Sequence, residues 1–378
     1  MEEDGVYPPD DLEKLLTAVT CNDLQSLDYL LRVKKISPNF MIDCQSPICI
    51  AACSGATEVL KLLLDFNADP NQPDLTDLKW YRPPIHLAAS KGHLEVVKAL
   101  ADYGVDVNSR DSDQRTPLHW VATYGHVKLA EYLLSVGAAI NMDQVDGFAP
   151  LHAATCLGHT EMCRLLIRSG VDINHVDHDN WSALHTAVCY GHEDVVVTLL
   201  ESGADVKQKT NDLETPFHLG AICGHLTILK ILFQYGSDPD LRNKNGYTAF
   251  HLSIFYNKFE IAKYLLLLNV NIQTQNNSLQ TPFYLAAVRG EERLMRLMCL
   301  SGNCDLNKET WIKRGEYPMA IKDSSIVNYL LNRLRQPPSL RDISNRCIRS
   351  VLKHQLLSSV NELPIPTTLK HILIFQYF

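Results

Sequence analysis

The sequence predicts an all-α repeat solenoid of about ten units, followed by a short helical segment of a different character. A tetrapeptide of the type Thr-Pro-Leu-His recurs in one register, and its histidine falls every 33 residues. Two glycine columns share this period, and self-similarity of this kind is the signature of stacked repeats. The tetrapeptide histidines are His86, His119, His152, His185, His218 and His251.

Residues 113–141 show why each unit should form two helices. Thr116 can cap a helix with its hydroxyl group, and Pro117 suits the first helical position, where a missing N–H costs nothing. Gly125 can take the positive φ that ends this helix. An apolar stripe from Val127 to Leu134 then predicts a second helix, which a second glycine ends.

The array is expected over residues 11–334, after a disordered polar N-terminus over residues 1–10. Cys49 occupies the histidine column of the second repeat, and the step from Cys49 to His86 is 37 residues. The extra residues therefore form an insertion, which we place in the turn around residues 73–82. Insertions in repeat arrays map to loops, often on the binding face.

Later repeats depart from the pattern in two places. The eighth repeat has Asn257 and Asn269 in its glycine columns, and asparagine is the next most tolerant residue of the left-handed region. A tenth repeat, from Tyr317 and Pro318, is eroded, and we interpret it as the closing repeat.

The period and the tetrapeptides resemble the ankyrin repeat, which implies stacked helix pairs with short β-turn fingers. In that family the residue before the tetrapeptide and the two residues before the first glycine face the concave side. Aromatic and arginine side chains dominate binding hot spots. These columns and the insertion therefore supply the substrate-binding candidates: Trp80, Arg82, Tyr124, Phe148, Trp181, Tyr190, Tyr247 and Tyr256. The alternative is that some of them pack between adjacent repeats.

The C-terminal segment, residues 339–378, follows a proline-containing break at residues 335–338. Ser339 can cap a helix, and one stripe of that helix carries Leu340, Ser344, Ile348 and Leu352, with Ile343, Cys347 and Val351 beside them. A rigid Leu-Pro-Ile-Pro follows. So short a segment cannot bury this apolar surface alone, and we expect a partner to cover it.

This segment resembles a SOCS box. The elongin-binding pattern of that family maps onto Ser339, Leu340, Ser344 and Ile348, with Ser344 where the family has cysteine. The resemblance implies that elongin C and elongin B bind at Leu340, Ser344, Cys347 and Ile348. It also implies that cullin-5 and its RING partner bind at Leu363, Pro364, Ile365 and Pro366.

Repeats followed by this box resemble the ankyrin-repeat and SOCS-box family over almost the whole chain. The resemblance implies a substrate-recognition subunit of a cullin-5 RING ubiquitin ligase, which binds a target protein and promotes its ubiquitination and degradation. The alternative is a scaffold or inhibitor with a vestigial box, in which Ser344 has weakened elongin binding.

Enzymatic and metal-binding functions find little support. The chain lacks GxSxG, GxxxxGK[ST] and HExxH. Eleven of its 15 histidines fall in the tetrapeptide column or in a second column after the first glycine. Asp177 and Asp179 beside His175 and His178 look like ligands, but acidic residues also orient turns. We expect no cofactor and no metal.

Charge and cysteine usage indicate the compartment. A net charge of −8 argues against nucleic acid or an anionic membrane as the main partner. The cysteines are odd in number and scattered, which suggests a reducing compartment. Cys44, Cys49 and Cys53 cluster without a histidine, so buried thiols are favoured over a zinc site. The acidic start resembles no secretory signal and no long apolar run occurs, so we expect the cytoplasm, with the nucleus as a second location.

Overall fold

The computed structural model describes residues 8–41, 45–75, 81–301, 304–322 and 325–335. Within these ranges the chain is helical and has no strand, and its isolated bridges include Asp74–Arg82 and Val176–Ser182. The predicted all-α repeat class is confirmed. The chain divides into unit 1, residues 1–187 with 201–204, and unit 2, residues 188–200 with 205–378.

Unit 1 contains the first five helix pairs: α1 (Pro9–Thr20), α2 (Leu24–Arg32), α3 (Pro47–Ser54), α4 (Thr57–Asp65), α5 (Pro84–Lys91), α6 (Leu94–Asp102), α7 (Pro117–Tyr124), α8 (Val127–Ser135), α9 (Pro150–Cys156) and α10 (Thr160–Arg168). Two further helices, α11 (Ala183–Tyr190) and α12 (Glu193–Glu201), contain residues of both units. First helices pack on first helices, α3 on α5, α5 on α7 and α7 on α9. Second helices pack likewise, from α2 on α4 to α8 on α10.

Unit 2 contains α13 (Pro216–Cys223), α14 (Leu226–Gln234), α15 (Ala249–Phe255), α16 (Phe259–Leu267), α17 (Pro282–Val288), α18 (Glu292–Leu300), α19 (Thr310–Arg314) and α20 (Ser325–Arg335). A 3₁₀ turn at Leu306–Lys308 precedes α19. Here too first helices pack on first helices, α13 on α15 and α15 on α17, while α16 packs on α18. None of the helices within the described ranges has the length and apolar character that a membrane span requires.

The tetrapeptide histidines join neighbouring repeats. In the fourth repeat the backbone N–H of Thr116 donates to Nδ1 of His119 at 3.0 Å, so the ring proton lies on Nε2. That Nε2 donates to the carbonyl of Phe148, in the next repeat, at 3.1 Å. Burial lowers the pKa of the His119 imidazole to about 4, so the ring is neutral and both of its nitrogens serve the fold.

Cys49 takes the place of this histidine in the second repeat. The thiol is buried and donates to the carbonyl of Gln72, 23 residues on, at 3.1 Å. His86 reaches the carbonyl of Ser109 over the same sequence separation. Cys49 is therefore the expected buried thiol, and burial raises its pKa to about 12.

The expectation of a buried thiol is wrong for Cys53, which is exposed. This cysteine lies two residues before Gly55, in a column whose side chains lie at the helix end. Cys44 falls outside the described residues.

The second histidine column explains the first glycine column. His126 Nε2 donates to the carbonyl of Ser90 in the preceding repeat at 3.1 Å. Its ring lies against Gly92, where a Cβ would stand 2.7 Å from Nδ1, and Gly92 has φ +76°. Both the space and the left-handed backbone therefore require glycine. In the eighth repeat Asn257 and Asn269 take φ of 56° and 58°, as predicted.

The two ends of the array differ from the expected boundaries. At the N-terminal end α1 begins at Pro9, inside the segment expected to be disordered. At the C-terminal end no helix forms around Tyr317 and Pro318, and Gly315, with φ 71°, ends α19. Pro318 falls one residue after the histidine column, at the fourth helical position, where proline removes a needed N–H. Between Tyr317 and Arg335 the described residues of the closing repeat form one helix, its second, α20.

The ninth repeat forms its hydrogen bond to the closing segment without a tetrapeptide histidine. Tyr284 occupies the column, and the Thr281 hydroxyl donates instead to Oε1 of Glu309 at 2.8 Å. The indole N–H of Trp311 donates to Oε2 of the same carboxyl at 2.7 Å. Burial raises the pKa of the Glu309 carboxyl, and the two donors oppose that rise.

Candidate binding surfaces

In unit 1, Arg82 and Tyr124 meet at the indole ring of Trp120. The Tyr124 ring stacks on it with 6.2 Å between centroids and an interplanar angle of 9°. The guanidinium carbon of Arg82 lies 6.0 Å from the ring centroid, and that of Arg115 lies 4.7 Å away. Tyr124 is 51% exposed. These side chains therefore present a cation–π cluster with an exposed tyrosine beside it.

The buried carboxylate of Asp111 holds this cluster in place. Asp111 accepts the indole N–H of Trp120 at 3.0 Å. Its other oxygen accepts the backbone N–H groups of Asp113 and Arg115, at 3.0 and 2.9 Å. The guanidinium of Arg115 pairs with Asp113 and lies 3.8 Å from Asp111. A buried charge needs such partners. The hydrogen bond to Asp111 holds the Trp120 ring in one orientation without a ligand.

Phe148 and Trp181 are half-buried, and each ring contacts the histidine of its own repeat. The centroids lie 5.0 Å apart for Phe148 and His152, and 6.1 Å apart for Trp181 and His185. The Trp181 carbonyl also accepts from His152 Nε2 at 3.1 Å. Part of each side chain thus supports the fold, and its role in binding stays a prediction. The remaining unit 1 candidate, Trp80, lies outside the described residues.

In unit 2, Tyr247 and Tyr256 are joined by Phe255. The Phe255 centroid lies 6.1 Å from that of Tyr247 and 5.2 Å from that of Tyr256. The Arg289 guanidinium carbon stands 5.9 Å from the same ring. Tyr256 is 46% exposed and Tyr190 is 58% exposed, which gives unit 2 an aromatic surface of its own.

Two leucines of unit 2 occupy a backbone conformation that leucine rarely adopts. Leu213 and Leu279 have φ of 57° and 59° at the tips of their turns, a column that Gly246 fills in the repeat between them. Leu279 is 75% exposed. A left-handed leucine costs roughly 1–2 kcal/mol of backbone energy, and an exposed one recovers little by packing. Gln114 and Asn180 take φ of 63° and 61° in the same column, so the turn of the repeat imposes this conformation.

Glu214 follows Leu213, in the column that Trp181 and Tyr247 occupy in their repeats. Asn243 Nδ2 donates to its Oε1 at 3.2 Å. Burial raises the pKa of the Glu214 carboxyl, although this hydrogen bond opposes the rise. The column thus holds a half-buried carboxylate as well as aromatic rings.

Sequence reasoning missed several of these residues. Arg115 lies 33 residues after Arg82, and Phe255 directly precedes Tyr256, so both columns already contained them. The leucines could have been found from the column of turn-tip residues, which otherwise holds glutamine, glycine and asparagine. Trp120 had no such signal, because its importance depends on the buried Asp111.

One of the suspected metal ligands, Asp177, has a structural role. Asp177 Oδ1 accepts the backbone N–H groups of Asp179 and Trp181, at 2.9 and 2.8 Å, and so orients its turn. Across the described ranges no three histidine, cysteine, aspartate or glutamate side chains converge as a metal site would require. The cysteines in those ranges are free thiols.

Family models agree with this architecture. The model for ankyrin repeats matches residues 71–144, 137–210 and 217–310, which is more than half of the chain, and the model for a single ankyrin repeat matches residues 43–75. The SOCS box model matches residues 336–374. The chain belongs to the ankyrin-repeat and SOCS-box family. No curated protein gives a match to it.

Membership of the ankyrin-repeat and SOCS-box family sets the general function. Ankyrin repeats followed by a SOCS box are typical of non-catalytic adaptors, and a SOCS box implies binding of elongin B, elongin C and a cullin in general terms. The expected contact residues Leu340, Ser344, Cys347, Ile348, Leu363, Pro364, Ile365 and Pro366 lie outside the described residues.

Proposed function

We propose that this ankyrin-repeat and SOCS-box protein is the substrate-recognition subunit of an elongin B/C–cullin-5 RING ubiquitin ligase. The observation that carries the proposal is the SOCS box at residues 336–374, directly after repeats with exposed aromatic clusters. In this proposal the array ends at residue 334, a proline-containing break follows, and residues 339–378 form the box.

The chain itself does no chemistry in this proposal. It holds a bound target near a ubiquitin-conjugating enzyme and so raises the effective concentration of the target's lysines. The repeats supply affinity for the target, and the box supplies the link to the ligase. The free thiols of the described cysteines suit a reducing compartment such as the cytoplasm.

In this proposal each partner protein binds a separate set of residues. Elongin C, with elongin B, binds the stripe of Leu340, Ser344, Cys347 and Ile348, and cullin-5 with its RING partner binds Leu363–Pro366. The target protein binds the aromatic surfaces of the two units, through Arg82, Tyr124, Phe148 and Trp181 in one and Tyr190, Tyr247 and Tyr256 in the other. Trp80 belongs to the same set through the insertion.

One observation favours a second function. Ser344 stands where the family pattern has cysteine, and a hydroxyl group is costlier to bury in an apolar contact than a thiol. If this change abolishes elongin binding, the protein is an ankyrin-repeat scaffold or inhibitor without a ligase role.

Leu340→Asp separates the two functions. Burying a leucine is worth roughly 1.5–3 kcal/mol, and about 1.4 kcal/mol changes an affinity tenfold. The substitution also places a charge in the apolar contact, so elongin binding should weaken by well over tenfold. Pull-down of purified elongin B/C by each variant measures this.

Asn345→Asp is the matched control, because it adds the same charge away from the stripe and should leave binding intact. No elongin binding by the unsubstituted chain would reject the ligase proposal in favour of the scaffold, and full binding by Leu340→Asp would show that elongin does not bind through this stripe.

A further inference from the structure

Two cations of unit 1 stand at the two ends of α5, and among the described residues neither forms an ion pair, although the buried Asp74 is the backbone bridge partner of Arg82. Arg82 precedes this helix, and its Nε is buried without a hydrogen-bond partner. Lys91 is the last residue of α5, and it is exposed. In the described part of unit 1, the ion pairs of nearby cations involve Lys61, Lys98 and Arg115, and neither Arg82 nor Lys91.

The neighbouring repeat differs, because its cation is neutralised. Arg115 pairs with Asp113 and lies near Asp111, so this cation is already paired within the protein. What this repeat presents is apolar and aromatic: the stacked rings of Trp120 and Tyr124. Tyr124 has the same place at the end of α7 that Lys91 has at the end of α5.

The next repeat carries no charge in these two columns. Phe148 is half-buried and Leu157 is exposed. Because α5 packs on α7 and α7 on α9, the surface passes from cations through rings to an apolar end. Packed helices lie about 8–10 Å apart, so the cations and the apolar end are separated by about 20 Å. An extended peptide spans that distance in about six residues.

We propose that unit 1 binds an extended protein segment in which anionic side chains lie about six residues from an apolar side chain. The anions, carboxylate or phosphate, pair with Arg82 and Lys91, while the apolar side chain contacts Phe148 and Leu157. Electrostatic complementarity of this kind fixes partner choice and register. This inference rests on the proposed function, since the segment would belong to the ligase target.

Fluorescence anisotropy with labelled peptides tests the inference, with the full chain purified together with elongins B and C. The first peptide has three glutamates, a six-residue Gly/Ser spacer and Leu-Phe. Others replace the glutamates by phosphoserine, replace them by lysine, or replace Leu-Phe by two serines. An acidic peptide with Leu-Phe should bind at least tenfold more tightly than the lysine and serine peptides. The glutamate and phosphoserine arms identify the anion.

Charge reversal locates the contact. Arg82→Glu with Lys91→Glu should weaken binding of the acidic peptide at least tenfold. Lys91→Glu alone changes one exposed side chain and should weaken it severalfold with unchanged melting. The control, Lys98→Glu with Lys128→Glu on α6 and α8, makes the same charge change and should have no such effect.

Two results would overturn the inference: no preference for the acidic peptides over the lysine peptide, or equal losses in both double variants. Elongin retention by the same samples reports separately on the proposed function. Lost peptide preference with elongin retained rejects this inference alone.

Discussion

Four tetrapeptide histidines use both ring nitrogens to join two repeats: His119, His152, His218 and His251. Nδ1 accepts from a cap N–H of its own repeat, and Nε2 donates to a carbonyl of the next, as His251 does toward Gln280 in unit 2 at 3.3 Å. A protonated ring would lose the first of these bonds. Burial lowers the pKa to about 4 for His119, His152, His218 and His251.

The stability of the array should therefore fall on acidification. A free histidine has a pKa of about 6.5, so between pH of about 6.5 and about 4 the unfolded chain binds more protons than the folded chain. The free energy of unfolding then decreases as the pH falls through that window, by about 1.4 kcal/mol for each unit of pKa difference. Urea unfolding at pH 7, 6 and 5 measures the slope.

His119→Gln should reduce this pH slope as well as the stability. Leu118→Ala is the control, because it removes buried apolar volume at a cost of about 2–5 kcal/mol without removing a titratable group. Leu118→Ala should lower the free energy of unfolding at every pH and leave its dependence on pH unchanged. A stability that stays level from pH 7 to pH 5 would contradict the assignment of neutral histidines.

For the leucines with positive φ we predict a substitution that increases stability. Leu279→Asn should raise the free energy of unfolding by about 1 kcal/mol, because asparagine tolerates the positive φ that leucine resists. Val145→Asn, at an exposed site without positive φ, should change it by less than about 0.5 kcal/mol. Thermal melting of both variants and of the unsubstituted protein measures these changes in stability. A loss of stability in Leu279→Asn would mean that the leucine packs usefully.

At the scale of elements, the sequence register located most helices because each boundary has a local cause. Thr116 and Pro117 start α7, and Gly125 ends it with φ 74°. The start of the closing repeat could not be located this way, because Pro318 prevents its first helix. Its contact with the ninth repeat could not be predicted either, because the Glu309 carboxyl accepts the hydrogen bond from that repeat. The hydrogen bond from Thr281 to Glu309 joins residues that are 28 positions apart and that the repeat pattern does not relate.

The C-terminal box should separate into two independent contacts. Pro364→Ala with Pro366→Ala should abolish cullin-5 binding and leave elongin bound, because the rigid Leu-Pro-Ile-Pro lies beyond the elongin stripe. Ser344→Cys should tighten elongin binding, since it restores the residue type of the family pattern. Pull-downs with purified elongin B/C, and then with cullin-5 added, measure both. Loss of elongin in the proline variant would show that the two contacts are one.

For the whole molecule, the fold followed from the sequence more completely than the binding surfaces did. A period of 33 residues specifies stacked helix pairs whatever the side chains between the columns are. Those remaining side chains decide binding, and their exposure depends on tertiary neighbours. Tyr124 and Trp181 come from the two candidate columns, and Tyr124 is exposed while Trp181 is half-buried. Only the three-dimensional contacts show that Arg82 and Tyr124 share the Trp120 ring.

The central claim is that the repeats hold a target while the C-terminal box delivers it to a ligase. Quantitative affinity capture from cells, comparing the full chain with a chain lacking residues 339–378, tests this most directly. The full chain should capture elongin B, elongin C and cullin-5. The truncated chain should lose all three and retain a shared set of other proteins in larger amounts, because they are no longer degraded. Absence of elongins from the full-chain capture, with the same proteins at equal levels on both chains, would contradict the claim.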